Sequence, residues 1–420
     1  MHNLLANVTE TATTPDYSIV YGVLGAVIVL HNFSIFMLIL TWLSWLERRV
    51  CAWIQDRSGP NRVGPAGLLQ PVADAIKLMQ KEDLIPHHVE KFLYILGPAL
   101  VALPALILFV VIPIGTDIPY EWIGNLMIWG ADGVNYFTDS FAVNMTELQD
   151  FARQFNLDHA GQTRSMAAAD LPVGLAFLLA IGSLGVYGLA LGAWSANNKY
   201  ATMGGVRASA QMISYELALG VAILTLILMC GTSGLSDMTI GDIVSAQQGY
   251  LGGWLPKWNI ILNPITAIIL IICYFAETNR LPFDFAEAEP ELIAGYHIEH
   301  SGMKFALFMI GESAAMLTAS ALIVTLCFGG WGLPFLEDIL KVVVPEIIDY
   351  RLVLFLASIG IFMTKTIAMV MVFILVRWSI PRFRYDQLMN LGWKRLLPAA
   401  LAMLVITVFV KELFTYFGAH

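Results

Sequence analysis

Tyr274 to His300 reads YFAETNRLPFDFAEAEPELIAGYHIEH and follows without a break on an apolar run, Ile260 to Ala276. An apolar run of this kind is a membrane-crossing segment, so Glu277, Asp284, Glu287, Glu289, Glu291 and Glu299 gather where the hydrocarbon should end. Carboxylates crowded together beside a low dielectric repel one another, which raises some of their pKa values toward neutrality and suits them to proton exchange near pH 7. The plain alternative is a solvated acidic loop whose charges only keep it out of the lipid. Pro282 and Pro290 bar a continuous helix, so the stretch is kinked.

The rest of the chain supplies the membrane. Of its 420 residues 58% are hydrophobic and 13% charged, about half the roughly 25% charged share of soluble domains. That composition makes the chain an all-α integral membrane protein. Apolar runs of spanning length, about 20 residues each, lie near 17–46, 92–114, 171–196, 208–231, 259–280, 303–328, 352–377 and 396–417, which predicts eight transmembrane helices in a single membrane domain over 17–417. No basic start followed by a short apolar region and a small-residue cleavage site is present, so residues 1–16 read as a mature polar tail. With the N-terminus outside, the inner loops 47–91, 197–207, 280–304 and 377–395 hold 16 Lys and Arg, against 6 in the outer segments. The positive-inside rule therefore puts both termini outside and the acidic stretch inside.

The first inner loop is the longest of the four. Gly59 to Pro65, GPNRVGP, imposes tight turns, and the spacing over Gly67 to Lys81 puts Leu68, Leu69, Val72, Ile76 and Met79 on one helical face, with Asp74, Lys77 and Lys81 on polar positions. This predicts an amphipathic helix over 67–81 lying in the interface plane. Ile380 to Arg395, IPRFRYDQLMNLGWKR, has the basic and aromatic composition of headgroup level, so 379–395 reads as a second interfacial segment. Outside, 115–170 carries eight acids and two basic residues and no spanning run, a surface elaboration or a contact for a neighbour. The tripeptides Asn7–Thr9 and Asn144–Thr146 match a glycosylation pattern that means nothing without a secretory pathway. Gly182, Gly185, Gly188 and Gly192 form a small-residue stripe suited to close helix packing. Cys51, Cys230, Cys273 and Cys327 are scattered, with no C-x-x-C pair and no His at ligand spacing, which argues against a bound iron–sulfur cluster, zinc or other metal. A redox centre then belongs to a partner or a diffusible molecule. A net charge of −9 leaves no basic face for nucleic acid.

Three charges lie deep in the spans. Glu216 and Glu312 are each about nine residues from the inner ends of their helices, roughly 13 Å deep, and Lys365 sits roughly 18 Å from the inner end of its own. With Glu277 at the inner end of its span they make a ladder, from the acidic loop through Glu277 to Glu216 and Glu312, with Lys365 beyond. An intramembrane charge is costly and by default marks function; the alternative is a buried Glu–Lys pair that holds helices together. His31, alone on an apolar face, reads as a core residue rather than a ligand or relay.

Four blocks carry a resemblance. ERRVCAWIQDRSGPNRVGPAGLLQPVADAIKLMQKED, NKYATMGGVRASAQMISYELALG, AETNRLPFDFAEAEPELIAGYHIE and IPRFRYDQLMNLGWK, in this order, resemble the signatures of the quinone-chamber membrane subunit of respiratory complex I, NADH:quinone oxidoreductase. The likeness runs from about residue 17 to 400; the 115–170 segment is longer than this family leads one to expect. The resemblance implies a subunit of a bacterial cytoplasmic (inner) membrane complex at the joint of its two arms. The inner loops would dock the iron–sulfur subunits and wall a tunnel for ubiquinone or menaquinone as substrate, with FMN, NADH and the iron–sulfur clusters on partner subunits only. It implies that membrane glutamates connect the chamber to proton-pumping subunits: Glu216, Glu277 and Glu312 as the proton path, Asp284, Glu287, Glu289 and Glu291 as loop acids. Glu47, Arg48, Arg57, Arg62, Asp74, Lys77, Arg207, Arg280 and Glu299 would shape the quinone chamber. Two other functions remain: the membrane anchor of a related energy-converting hydrogenase-type complex, and a stand-alone ion or proton transporter. Against the second stands the absence of an inverted repeat and of paired Gly/Pro-broken spans.

Overall fold

Nearly all the apolar runs become helices. The computed structural model describes residues 17–137, 145–167, 174–230, 239–251, 253–287, 289–336 and 350–418; the tail 1–16 with Asn7, and Asn144, lie outside them. In chain order the helices are α1 (Ser18–Ile54), α2 (Gln70–Gln80), α3 (Lys91–Val111), α4 (Tyr120–Phe137), α5 (Met145–Asp158), α6 (Gly174–Ser195), α7 (Lys199–Cys230), α8 (Ile240–Ala246), α9 (Pro264–Glu277), α10 (Gly302–Cys327), α11 (Tyr350–Ser379), α12 (Tyr385–Asn390) and α13 (Leu397–Gly418). Among the described residues seven helices are long and apolar enough to cross a membrane.

The fifth expected span, 259–280, gives a helix shorter than its apolar run. A short helix over Asn259–Leu262 breaks at Asn263, whose side chain accepts from the Thr266 N–H at 3.2 Å and caps a new helix with Pro264 in its first turn. Such a cap satisfies an otherwise orphaned amide, and proline at the first position costs no hydrogen bond. The 14 residues of α9 give about 21 Å of rise.

At the centre stands α10, buried on every side from Met316 to Cys327, as a helix apolar all round should be. Against it pack α3, α9 and α11, and α6 lies along α3. The glycine stripe of α6 has two uses. A Cβ at Gly188 would come within 2.7 Å of Val101, and Gly97 of α3 would meet Gly192 at 2.6 Å, so these positions allow close approach. Gly182 and Gly185 instead line a cavity, where a missing side chain leaves room for a carboxylate.

Segments read as lying on one side of the membrane do meet one another. At the inner end Lys304 Nζ donates to Asp83 Oδ2 at 2.7 Å, Asn197 Nδ2 to His88 O at 3.2 Å, and Phe383 N to Pro282 O at 3.3 Å. At the outer end Thr116 N donates to Ser358 Oγ at 3.1 Å. The outer 115–170 segment folds into α4, α5 and a two-residue pairing of Ile118–Pro119 with Thr163–Arg164. It packs on the start of α1, where Tyr17 and Tyr21 lie against Phe155 and His159. Asn32 Nδ2 donates to Met166 O at 2.9 Å and is fully buried, whereas His31 is exposed; the core residue of that turn is Asn32, because it faces the returning segment. The expected helix over 67–81 begins later, at Gln70, after a tight turn at Pro65–Gly67, and keeps Leu69, Val72, Ile76 and Met79 exposed on its apolar face. The interfacial segment 379–395 passes through α12 and a wide turn at Leu391–Leu396 directly into α13, with Ile380, Phe383 and Trp393 exposed.

Candidate functional site

Arg280 organises the inner half of the molecule. It follows the end of α9 through Asn279, whose φ of 50° turns the chain back, a conformation that Asn tolerates better than most residues. The turn sends the guanidinium inward, where it is 8% exposed. Its Nη1 donates to Glu47 Oε1 at 2.6 Å, and its Nε lies 3.1 Å from Glu312 Oε1, an ion pair without hydrogen-bond alignment. Glu47, at the inner end of α1, also accepts from Arg377 Nη1 at the end of α11. One guanidinium thus joins α1, α9 and α10, and a charge so buried persists because carboxylates surround it.

The acidic stretch is held by further pairs. Arg382 Nη2 donates to Asp284 Oδ2 at 2.6 Å, Arg207 Nη1 to Glu291 Oε2 at 2.6 Å, and His297 Nδ1 lies 3.7 Å from Glu287 Oε1. Beside them Glu277, Glu287 and Glu312, with Tyr296, line a small cavity of about 70 Å³ between α3, α6 and α10. The Glu277 carboxylate rests in the notch at Gly182, its Oε1 3.4 Å from where a Cβ there would stand, and Glu216 of α7 is its electrostatic neighbour. Burial raises the Glu287 carboxyl to about 8; Glu312 and Asp284 add to the push, and Arg280 and Arg377 oppose it. A carboxyl poised there holds its proton at neutral pH and exchanges it nearby.

The expected ladder therefore assembles at its inner end and stops. Lys365 lies apart, its Nζ donating to the carbonyls of Phe328, Gly330 and Gly332, and Phe328 follows Glu312 by sixteen residues along α10, about 24 Å of rise. Of the loop residues, Arg48 pairs with Asp74 at 2.6 Å, and Glu299 Oε1 accepts from Asn198 Nδ2 at 2.7 Å. Arg57, Arg62 and Lys77 are exposed and stand outside the cluster. The side chain of Glu289 lies outside the described residues. Sequence reasoning missed Arg377, Arg382 and His297. Arg377 ends α11 and Arg382 sits in the segment after it, whose basic and aromatic composition already marks headgroup level, and nothing local shows that either meets a carboxylate.

These observations define a multi-pass, all-α membrane protein with a chamber of paired carboxylates and guanidinium groups under its core helices. The family model described as NADH dehydrogenase matches residues 26–408. The H-type subunit of NADH-quinone oxidoreductase from Bdellovibrio bacteriovorus is 40% identical over 378 residues, covering 88% of this chain and 91% of its own. The H-type subunit from Salinibacter ruber is 39% identical over 401 residues, covering 96% and 99%, and NADH-quinone oxidoreductase subunit 8 of Rhodothermus marinus is 40% identical over 374 residues, covering 89% and 93%. The chain belongs to this family, that of the H-type subunits of NADH-quinone oxidoreductase.

Proposed function

We propose that the chain is the membrane subunit of a proton-translocating NADH:quinone oxidoreductase in a bacterial cytoplasmic membrane, with both termini periplasmic and the charged chamber on the cytoplasmic side. The observation that carries this reading is Arg280 held between Glu47 and Glu312 at the edge of a cavity lined by Glu277 and Glu287. Quinone, ubiquinone or menaquinone, would be the substrate; iron–sulfur subunits would dock on the inner loops and pump subunits beside the membrane helices. The exposed apolar face of α2 supports a wall where a lipid-soluble substrate leaves the bilayer. Reduction of a quinone consumes protons, and a change of charge beside Arg280 alters its balance between Glu47 and Glu312. Glu287, Asp284 and Glu291 would pass that change to Glu277 and Glu216. Coupling of this kind requires an element with two states that both sites bias.

The test is to tag the chain, extract it in mild detergent, and read iron content and inhibitor-sensitive NADH:quinone activity on the co-eluting fraction. An iron-rich assembly with that activity is expected. Hydrogen evolution in its place would assign the chain to an anchor of the hydrogenase type, and a lone chain without iron would leave a transporter. In the assembled complex, loss of proton pumping in Glu277→Gln and Glu312→Gln with assembly intact supports the glutamate path; near-normal pumping in both removes it.

A further inference from the structure

Gln211 is fully buried in α7, one turn before Tyr215 and five residues before Glu216, and carries no charge to draw attention to it. Its amide nitrogen Nε2 lies 2.7 Å from Ala276 O, 2.8 Å from Phe283 O and 3.2 Å from Asn279 Oδ1. Three acceptors converge, so the amide must present its NH2 to them; the opposite orientation would set an oxygen against carbonyls. Two protons serve three acceptors, one of them shared. Ala276 O belongs to the last turn of α9, where carbonyls lack an intrahelical partner, and Phe283 immediately precedes Asp284. One side chain therefore closes the stretch 276–283 into a loop. Within that loop stand Glu277 and Arg280, and its ends lead to the cavity on one side and to the Arg382 pair on the other. Gln211 and Glu216 share a helix, so the clamp also ties the loop to the membrane carboxylate that neighbours Glu277.

We propose that Gln211 is a positioning residue: by holding both ends of the 276–283 loop it keeps Arg280 between Glu47 and Glu312, and Glu277 against Glu216. The proposal rests on the quinone-coupled proton function above. Without its amide hydrogens the loop loses its inner anchor: Ala276 O keeps only backbone N–H groups such as Asn279 N at 3.4 Å, Phe283 O keeps Phe285 N at 3.0 Å, and nothing then ties either to α7.

The test uses the assembled complex in its membrane, with quinone reduction and proton pumping expressed per complex. Gln211→Leu keeps the volume and removes the hydrogens; it should lower pumping per complex about tenfold, mostly in kcat rather than KM, as expected when an interaction that orders the reacting arrangement is lost. Gln211→Glu supplies the second readout. Its protonated acid keeps one O–H donor, and its carboxylate faces carbonyls with none, so activity per complex should climb as pH falls from about 8 to about 6, burial having raised the acid's pKa. Gln211→Leu should show no such climb. Normal turnover in Gln211→Leu, or a Gln211→Glu profile parallel to wild type, overturns the positioning role. Loss of the assembled complex in both variants also overturns it, in favour of packing alone. Glu277→Gln and Glu312→Gln, measured in parallel, separate the two claims: normal pumping in both sinks the glutamate path itself, whereas lost pumping there beside normal Gln211→Leu sinks only the clamp.

Discussion

The two ends of α10 hold charge in opposite ways. In its inner half Glu312 faces Arg280, which is shared with Glu47, which in turn takes Arg377; these charges are paired with other ionisable side chains. At the outer end the Lys365 ammonium donates to three backbone carbonyls at 2.9, 3.0 and 2.6 Å and lies 4.8 Å from the Trp258 ring centroid. Carbonyl dipoles do not titrate and carboxylates do. A proton entering the inner cluster therefore changes which partner Arg280 prefers, while the outer nest keeps one arrangement. Poorly matched, mutually coupled charges are costly to stability, which suits them to a site whose state must change. The outer nest shows how the same chain binds a buried charge that only has to stay.

Arg280→Ala attacks the comparison hardest. It strands Glu312 and leaves Glu47 to Arg377, and breaking a buried pair costs about 3–5 kcal/mol; quinone reductase activity in membranes should fall at least about a hundredfold, or the complex should fail to accumulate on a native gel. Activity within a few fold of wild type would end the claim that the inner charges act as a unit. Glu312→Gln keeps the shape and removes the charge, and we expect a loss of about tenfold or more in turnover, the usual size for a group acting on the reaction's charge balance, with normal assembly.

A milder contrast tests whether the basic segment holds the acidic loop. Arg382→Ala removes the Asp284 ion pair and should lower activity by about threefold to tenfold, whereas Arg384→Ala, whose partner Asp386 is exposed beside it, should stay within about twofold, because exposed pairs contribute little. Equal effects would show that general basicity matters and the pair does not. Glu287 gives a pH signature. Its folded pKa, raised to about 8 from 4.5, means that the folded state binds the proton more tightly, so its contribution to stability is present at low pH and is lost as pH rises through about 8. Thermal unfolding of the complex with Glu287→Gln should show a flatter decline between those values; an unchanged slope would refute the assignment. The smallest effect on rate is expected at the other end. Lys365→Met leaves three carbonyls without a donor and should cost about 1–3 kcal/mol in stability, while the pH profile of the reaction keeps its shape. A shifted profile would make the outer nest part of the titrating path and erase the difference between the two ends.

Much of the chamber was legible before any fold was known, and for a reason that differs residue by residue. Glu216, Glu277 and Glu312 stand out because charge inside an apolar run is expensive and conspicuous. The acidic loop stands out by density and by its place after a span. Arg377 and Arg382 do not stand out: a basic segment near a membrane looks the same whether its arginines reach lipid headgroups or turn inward to Glu47 and Asp284. Gln211 was still less visible, since an uncharged amide in a helix leaves no mark on periodicity or charge. The glycine stripe was read correctly at Gly188 and misread at Gly182 and Gly185, because a small residue signals room without saying whether helix or cavity fills it.

The amino-acid sequence by itself determined the membrane class, seven of the eight expected long apolar helices, the segregation of Lys and Arg, and which carboxylates stand inside apolar runs, because hydropathy and charge are local properties that every fold of this chain must respect. Only the tertiary structure decided that Arg280 rather than Lys365 meets Glu312, that Asn32 rather than His31 faces inward, and that the last inner loop closes over the acidic one. Those outcomes depend on which helix faces meet and on contacts such as that of Glu47 with Arg377, 330 positions away along the chain.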